Sequence, residues 1–272
     1  MNQNLLCCMK KDARECLRCG RLALFLCLMA GIGLMIMGFT FVFSDIPEQL
    51  WAQLPGFNIE NLEELVSELY PKMLRENIGI YSYYVGVFFS LIVIIVIHGI
   101  LPREEESGKW ILPLQQGYDV RELILSKILV YGGFAGGSVF AGYLLYFILA
   151  GSLMERNMVF GHALANGLVH GWNMFVIVAY TLLLSELMPN PVISAVSMIA
   201  TIMLMPDIAT YFDFGKYLPT YPLTFVYDSR DDFGSLPMPM ILNVMVLALL
   251  WIILSEREEK RLRAIAASGS EE

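Results

Sequence analysis

Three groups of residues in this sequence have types and spacings that could do chemistry. Cys16-Leu-Arg-Cys19 has the C-x-x-C spacing of half a zinc site, and a tetrahedral site needs two more ligands. Cys7 and Cys8 are the nearest candidates, but four thiols on one continuous helix do not converge, so free thiols are expected and no metal site is assigned. Asn166, His170 and Asn173 recur at i, i+4 and i+7. On a helix they share one face, and within a bilayer such a face either lines a polar pathway or makes interhelical hydrogen bonds. The third group is the stretch 102–127, PREEESGKWILPLQQGYDVRELILSK. It holds the carboxylates Glu104, Glu105 and Glu106, then Gly108, which permits a sharp turn. Trp110, Ile111, Leu112 and Leu114 follow as an apolar patch, and 115–118 turn back. Asp119 and Glu122 stand at capping-box spacing, with Arg121 and Lys127 on the flank. None of these groups pairs a nucleophile with a base, so no catalytic residue is assigned and an enzyme is not expected. No G-x-x-x-x-G-K-[ST] phosphate loop occurs, so any nucleotide chemistry has to come from another chain.

The elements that position these groups are apolar helices. Of the 272 residues, 57% are hydrophobic and 16% charged, far from the roughly 25% charged of a soluble domain. Several apolar runs reach about 20 residues, the length that crosses a hydrocarbon core of about 30 Å. Six spans are expected, at about 22–43, 81–101, 123–149, 163–187, 192–208 and 239–254. Gly31, Gly33 and Gly38 in the first, and Gly132, Gly133, Gly136, Gly137 and Gly142 in the third, offer close helix approach. Tyr81, Tyr83 and Tyr84 open the second with an aromatic girdle suited to the interface. Residues 1–21 form an amphipathic helix in the headgroup plane, with Leu5, Leu6, Met9, Cys16 and Leu17 apolar and Lys10, Lys11, Arg14, Arg18 and Arg21 basic. The segments 44–80 and 209–238 lie outside, the first with a helix at 58–73 and the second with a re-entrant or interfacial piece in KYLPTYPLTFVY. A charged tail fills 255–272. All five cysteines fall within the first 27 residues, so no disulfide framework is implied, and the sixteen methionines act as apolar filler.

Orientation follows from Lys and Arg. Thirteen of the 18 lie in the N-terminal segment, the 102–127 stretch and the tail, against five in the other connections. Both termini and the 102–127 stretch are therefore expected in the cytoplasm, where an apolar patch held between two spans serves as a docking knob for a soluble partner or lies on lipid headgroups. No basic stripe interleaved with aromatics suggests nucleic acid. Glu104-Glu105 with Lys109, and His162 with Asn166, are similar to motifs of CPBP membrane proteases, but this topology sets the two groups about a membrane thickness apart.

The 102–127 stretch resembles the inner loop of ABC-2 type transporter permeases, which read E-x-E-x-G-T, a short apolar helix, then P-V-S-R-R-E and a Lys. Glu104, Glu106 and Gly108 stand on the first part, and Asp119, Arg121, Glu122 and Lys127 on the second. Lys10-Lys11-Asp12 is similar to the family's entry helix. Lys109 replaces Thr, Gly117 replaces Pro, and Pro113 interrupts the apolar helix, which it should kink or shorten. The resemblance implies a permease subunit of an ABC exporter in the cytoplasmic membrane of a bacterium. Residues 104–118 would be a coupling helix seated in a separate ATPase subunit that binds ATP and Mg, with no cofactor on this chain. Glu104, Glu106, Gly108, Trp110, Ile111, Leu114 and Arg121 would dock that subunit. A second permease chain, identical or a sister, would complete the path. The alternative is a membrane interaction or immunity protein that docks a soluble partner through 102–127 without transport. A secondary transporter would require inverted repeats with broken helices, which the sequence lacks.

Overall fold

The computed structural model describes residues 3–44, 78–153, 159–210, 215–226 and 233–268. Regular structure among them is helical throughout: α1 (Gln3–Arg18), α2 (Arg21–Ser44), α3 (Ile78–Glu106), α4 (Ile111–Gln115), α5 (Val120–Leu153), α6 (Phe160–Leu187), α7 (Pro191–Thr210), α8 (Tyr221–Thr224) and α9 (Pro237–Ser268), with short 3₁₀ turns before α8 and α9. Five stretches are long and apolar enough to cross a membrane, in α2, α3, α5, α6 and α9, and α7 adds a shorter one at Pro191–Met205. The chain is an all-α polytopic membrane protein. The expected span 192–208 falls on α7, the shorter helix. The helix expected at 58–73 lies outside the described residues. The expected tail is in part a continuation of α9 to Ser268, because SEREEKRLRAIAA consists almost wholly of good helix formers.

The bundle is built on α5 and α6. Gly136 faces the backbone of Gly171 so closely that a Cβ there would lie 2.5 Å from the Gly171 carbonyl oxygen, and Gly132 receives the ring of Phe175. Small residues four apart on both helices let the backbones touch, which gains dispersion contacts where lipid offers no hydrophobic drive. Gly142 packs instead toward Met29 of α2 and the Tyr81 hydroxyl of α3. The five glycines of α5 thus do not form one face. Gly133 and Gly137 have no neighbour within 4 Å among the described residues, and the same holds for Gly31 and Gly38 of α2. Tyr81 also departs from expectation, since it is fully buried, stacked on Tyr146 at 4.3 Å and edge-on to Tyr143 at 4.8 Å. Of the three tyrosines, Tyr83 is the exposed one.

The two ends of the bundle are closed differently. At one end the 221–226 segment dips between the helices, as a re-entrant piece would. Its Leu223 carbonyl presses on Gly86, where a Cβ would stand 2.6 Å away, inside a π-helical turn of α3 at Val85–Phe89. The Phe225 carbonyl accepts a hydrogen bond from His170 Nε2 at 2.9 Å. Asn243 of α9 donates to the Pro219 carbonyl at 2.9 Å. At the other end one arginine caps two helix-terminal carbonyls. Arg257 Nη1 donates to the Glu186 and Leu187 carbonyls, both at 2.9 Å, at the C-terminus of α6, where a cation suits the helix dipole. Asn190 then starts α7, its side chain accepting from the Val192 amide at 2.8 Å with Pro191 at the first helical position, a favoured N-cap arrangement.

Gly136→Val should force α5 and α6 apart at their closest point and destabilise the protein by about 1–3 kcal/mol, read as a lower melting temperature in detergent. Gly137→Val, one residue on and unopposed, should leave it unchanged.

Candidate functional site

The 102–127 stretch leaves α3, forms α4 and re-enters the bundle as α5. Gly108 and Gly117 adopt φ of +69° and +84°, a left-handed conformation that glycine takes without steric cost. These two turns bracket α4. Pro113 sits in the first turn of α4, where the amide it lacks would have no intrahelical partner, and α4 ends at Gln115. The helix is short, as expected, and unkinked at its start. Asp119 caps α5: its Oδ1 accepts from the Arg121 amide at 3.0 Å, an N-cap bond to the second helical position, and Glu122 Oε2 accepts from the Asp119 amide at 3.4 Å, the returning bond of a capping box.

Sequence spacing did not reveal what holds this loop. Lys127 lies seven residues into α5, about 10 Å along its axis, and its side chain is 2% exposed. Its ammonium donates to Asp12 Oδ1 at 2.9 Å and to the Glu104 carboxylate at 2.9 Å. Ser126 donates to the second Asp12 oxygen, and Trp110 Nε1–H donates to Glu104 at 3.4 Å. α1, the end of α3, the start of α4 and α5 therefore meet on one buried cation. At the rim Lys109 pairs with Glu15 at 3.3 Å. Partial burial would raise the Glu15 carboxyl, but Lys109, together with Lys127 and Lys11, outweighs that and holds it below its ordinary value. The oxygens of Asp12, Glu15 and Glu104 lie within 4.8 Å of one another, a spacing that would suit a metal ion. Lys127 already places a positive charge between two of them, so the cluster carries its own cation. The signals that could have located it are a lysine inside an apolar span and an aspartate in register with the buried positions Cys8 and Cys16 on α1.

The expected docking residues separate into two sets. Glu104 and Trp110 are buried and belong to the ion cluster and the core, so they correct the expectation of a surface contact: Trp110 supplies a hydrogen bond inward. Ile111 and Leu112 are 60% and 63% exposed, with Leu114 beside them. Glu106 is also exposed, Gly108 makes the turn, and Arg121 reaches the Ser255 carbonyl of α9 at 3.5 Å. Between α1 and α4 lies a cavity of about 270 Å³, walled by Cys7, Lys11, Leu112, Pro113 and Tyr118 and floored by the ion cluster. A partner side chain could enter there. Asn166, His170 and Asn173 do share one face of α6, and all three are buried. Asn166 Nδ2 donates to the His162 carbonyl at 2.8 Å, and His170 stacks on Tyr143 at 5.5 Å while holding the Phe225 carbonyl. In this structure Asn166 and His170 bind backbone, within α6 and across to the 221–226 segment, and Asn173 is buried beside them.

The cysteines are free thiols. Cys16 and Cys8 point inward, whereas Cys7 and Cys19 are exposed. Burial pushes the Cys16 thiol up to about 11 and raises that of Cys8, the latter helped by Asp12.

Compared with known proteins, the chain matches no family model and no curated protein.

Two outcomes are expected. Lys127→Met leaves two buried carboxylates without their counter-ion, which typically costs about 3–5 kcal/mol. The purified protein should lose thermal stability, and adding Asp12→Asn and Glu104→Gln should recover part of it. At pH 7.5 a maleimide should modify Cys7 and Cys19 quickly and Cys8 and Cys16 slowly in single-cysteine variants, because the thiolate is the nucleophile. Raising the pH toward 11 should speed the reaction at Cys16.

Proposed function

We propose that the chain is the permease subunit of an ATP-driven ABC exporter. It crosses the cytoplasmic membrane six times with both termini inside, the 102–127 stretch lies in the cytoplasm, and α4 is the coupling helix. A separate ATPase subunit binds ATP and Mg and seats Ile111, Leu112 and Leu114 in a surface groove. A second permease chain completes the path. One observation carries this reading: an exposed apolar patch on a five-residue helix, bracketed by two left-handed glycines and fastened underneath by the Lys127 cluster. A loop that only joins two spans has no need of such an anchorage. A rigidly held apolar knob is what a partner needs in order to push, because force applied to α4 passes into α3 through Glu104 and into α5 and α1 through Lys127 and Asp12. Trp110 serves this role from within, by setting α4 on the cluster, and the rim charges Glu106 and Lys109 set polar register. The substrate moves between this chain and its partner chain.

Co-expression with its ATPase subunit tests the proposal. Ile111→Glu with Leu112→Glu should weaken the complex by about 2 kcal/mol or more, the scale of an interface hot spot. Permease-stimulated ATP hydrolysis and substrate flux should fall together while membrane insertion stays normal. Normal flux in that variant would refute the coupling role. A partner that binds through α4 without hydrolysing ATP would favour the interaction or immunity alternative.

A further inference from the structure

In sequence α1 carries charges of both signs, Lys10, Lys11, Asp12, Arg14, Glu15 and Arg18. Folding sorts them. Asp12 turns inward to Lys127 and Ser126, and Glu15 is taken by Lys109. Lys10, Arg14 and Arg18, at i, i+4 and i+8, form one exposed row, and among the described residues none of the three forms an ion pair within the chain. Lys11 continues the positive charge onto the edge of the cavity. The acids of α1 are thus neutralised from inside while its bases are left facing out.

Beside this row runs an apolar edge. Leu6 and Leu17 are 47% and 56% exposed, eleven residues apart and so nearly aligned along the helix, with Met9 and Ala13 half-buried between them. A basic row next to an exposed leucine edge has the composition of a helix lying at the headgroup boundary, with leucines in the acyl region and cations at the phosphates. Leucines left in water would gain nothing from that exposure. α1 also sits where a bilayer surface must be. It joins α2 through the left-handed Gly20 (φ +69°), immediately before Arg21, which donates to the Tyr131 hydroxyl of α5 at 2.6 Å, and the span α2 begins at this level.

We propose that the outward face of α1 is a binding surface for anionic phospholipids of the adjoining leaflet, with Lys10, Arg14 and Arg18 on the headgroup phosphates and Leu6 and Leu17 below them. The chemistry selects negative charge, because zwitterionic headgroups offset each phosphate with an ammonium. Through Asp12, the lipid-held helix is joined to the Lys127 cluster on its opposite face, so a lipid that fixes α1 also braces α4. This inference needs only the membrane-spanning fold and does not depend on the transporter reading.

The test uses the purified full-length chain in detergent, titrated with phosphatidylglycerol or phosphatidylcholine of identical acyl chains and followed by native mass spectrometry. The wild type should prefer phosphatidylglycerol. Each basic residue near an anionic surface is worth roughly a fivefold effect, so K10Q/R14Q/R18Q should reduce that preference by about tenfold or more. Arg103→Gln, an exposed cation on the same side but off the row, should reduce it by no more than about twofold. The three side chains are exposed, so the triple variant should keep the wild-type melting temperature, and this measurement separates lost binding from lost fold. Equal affinity of the wild type for both lipids, as expected if the row served an acidic protein instead, overturns the proposal. So does a triple variant that keeps its preference, or an Arg103→Gln variant that loses as much.

Discussion

A lysine ammonium buried inside a membrane protein is the constraint on which this structure turns. Removing an ammonium from water costs several kcal/mol even after relaxation, and pairing repays it only when the geometry is good and the remaining donors and acceptors are satisfied. Lys127 meets these terms with carboxylates from two directions, while Ser126 donates to the second Asp12 oxygen and Trp110 to Glu104 Oε2. The carboxylates come from α1 and from the end of α3. The cation can be accommodated only if both elements are in place, so α1 is part of the fold and not merely a tail resting on it.

The opposite end of the bundle is held by neutral hydrogen bonds and close backbone contact. His170, Asn243 and Gly86 bring the 221–226 segment down among α3, α6 and α9. There the carbonyls of Pro219 and Phe225, on either side of α8, are answered by side chains, as required wherever irregular backbone enters a membrane protein. Between the two ends, glycine-mediated contact of α5 with α6 makes a rigid pair. In the proposed permease this division has a mechanical meaning. Displacement of α4 is delivered to α3 and α5 at the charged end, and the π-helical turn of α3 lies against the segment that closes the other.

The sorting of charge on α1 links the inner and outer faces of the same helix. Acids on the inner face hold the 102–127 loop, and bases on the outer face are left facing out. A single helix therefore stands between the loop that would receive a partner's push and the bilayer that resists it.

The sequence by itself determined the class of the protein, the presence of its long apolar helices and the local chemistry of the 102–127 stretch. These depend on short-range rules: run length for the spans, φ preference for Gly108 and Gly117, and reciprocal capping for Asp119 and Glu122. It also identified Asn166, His170 and Asn173 as one face, because helical periodicity is local too. Only the tertiary structure decided which side chains of each face meet. Asp12 and Lys127 are 115 residues apart; each stands out in its own helix, but nothing local says that the two pair. Trp110 read as a surface anchor because its neighbours are apolar and exposed, yet the Glu104 carboxylate draws its indole N–H inward. The glycines of α5 read as one face and serve two, since a helix packed on both sides needs small residues wherever a neighbour comes close. Pairing across the chain depends on which helices become neighbours, and that is settled by the packing of the whole bundle.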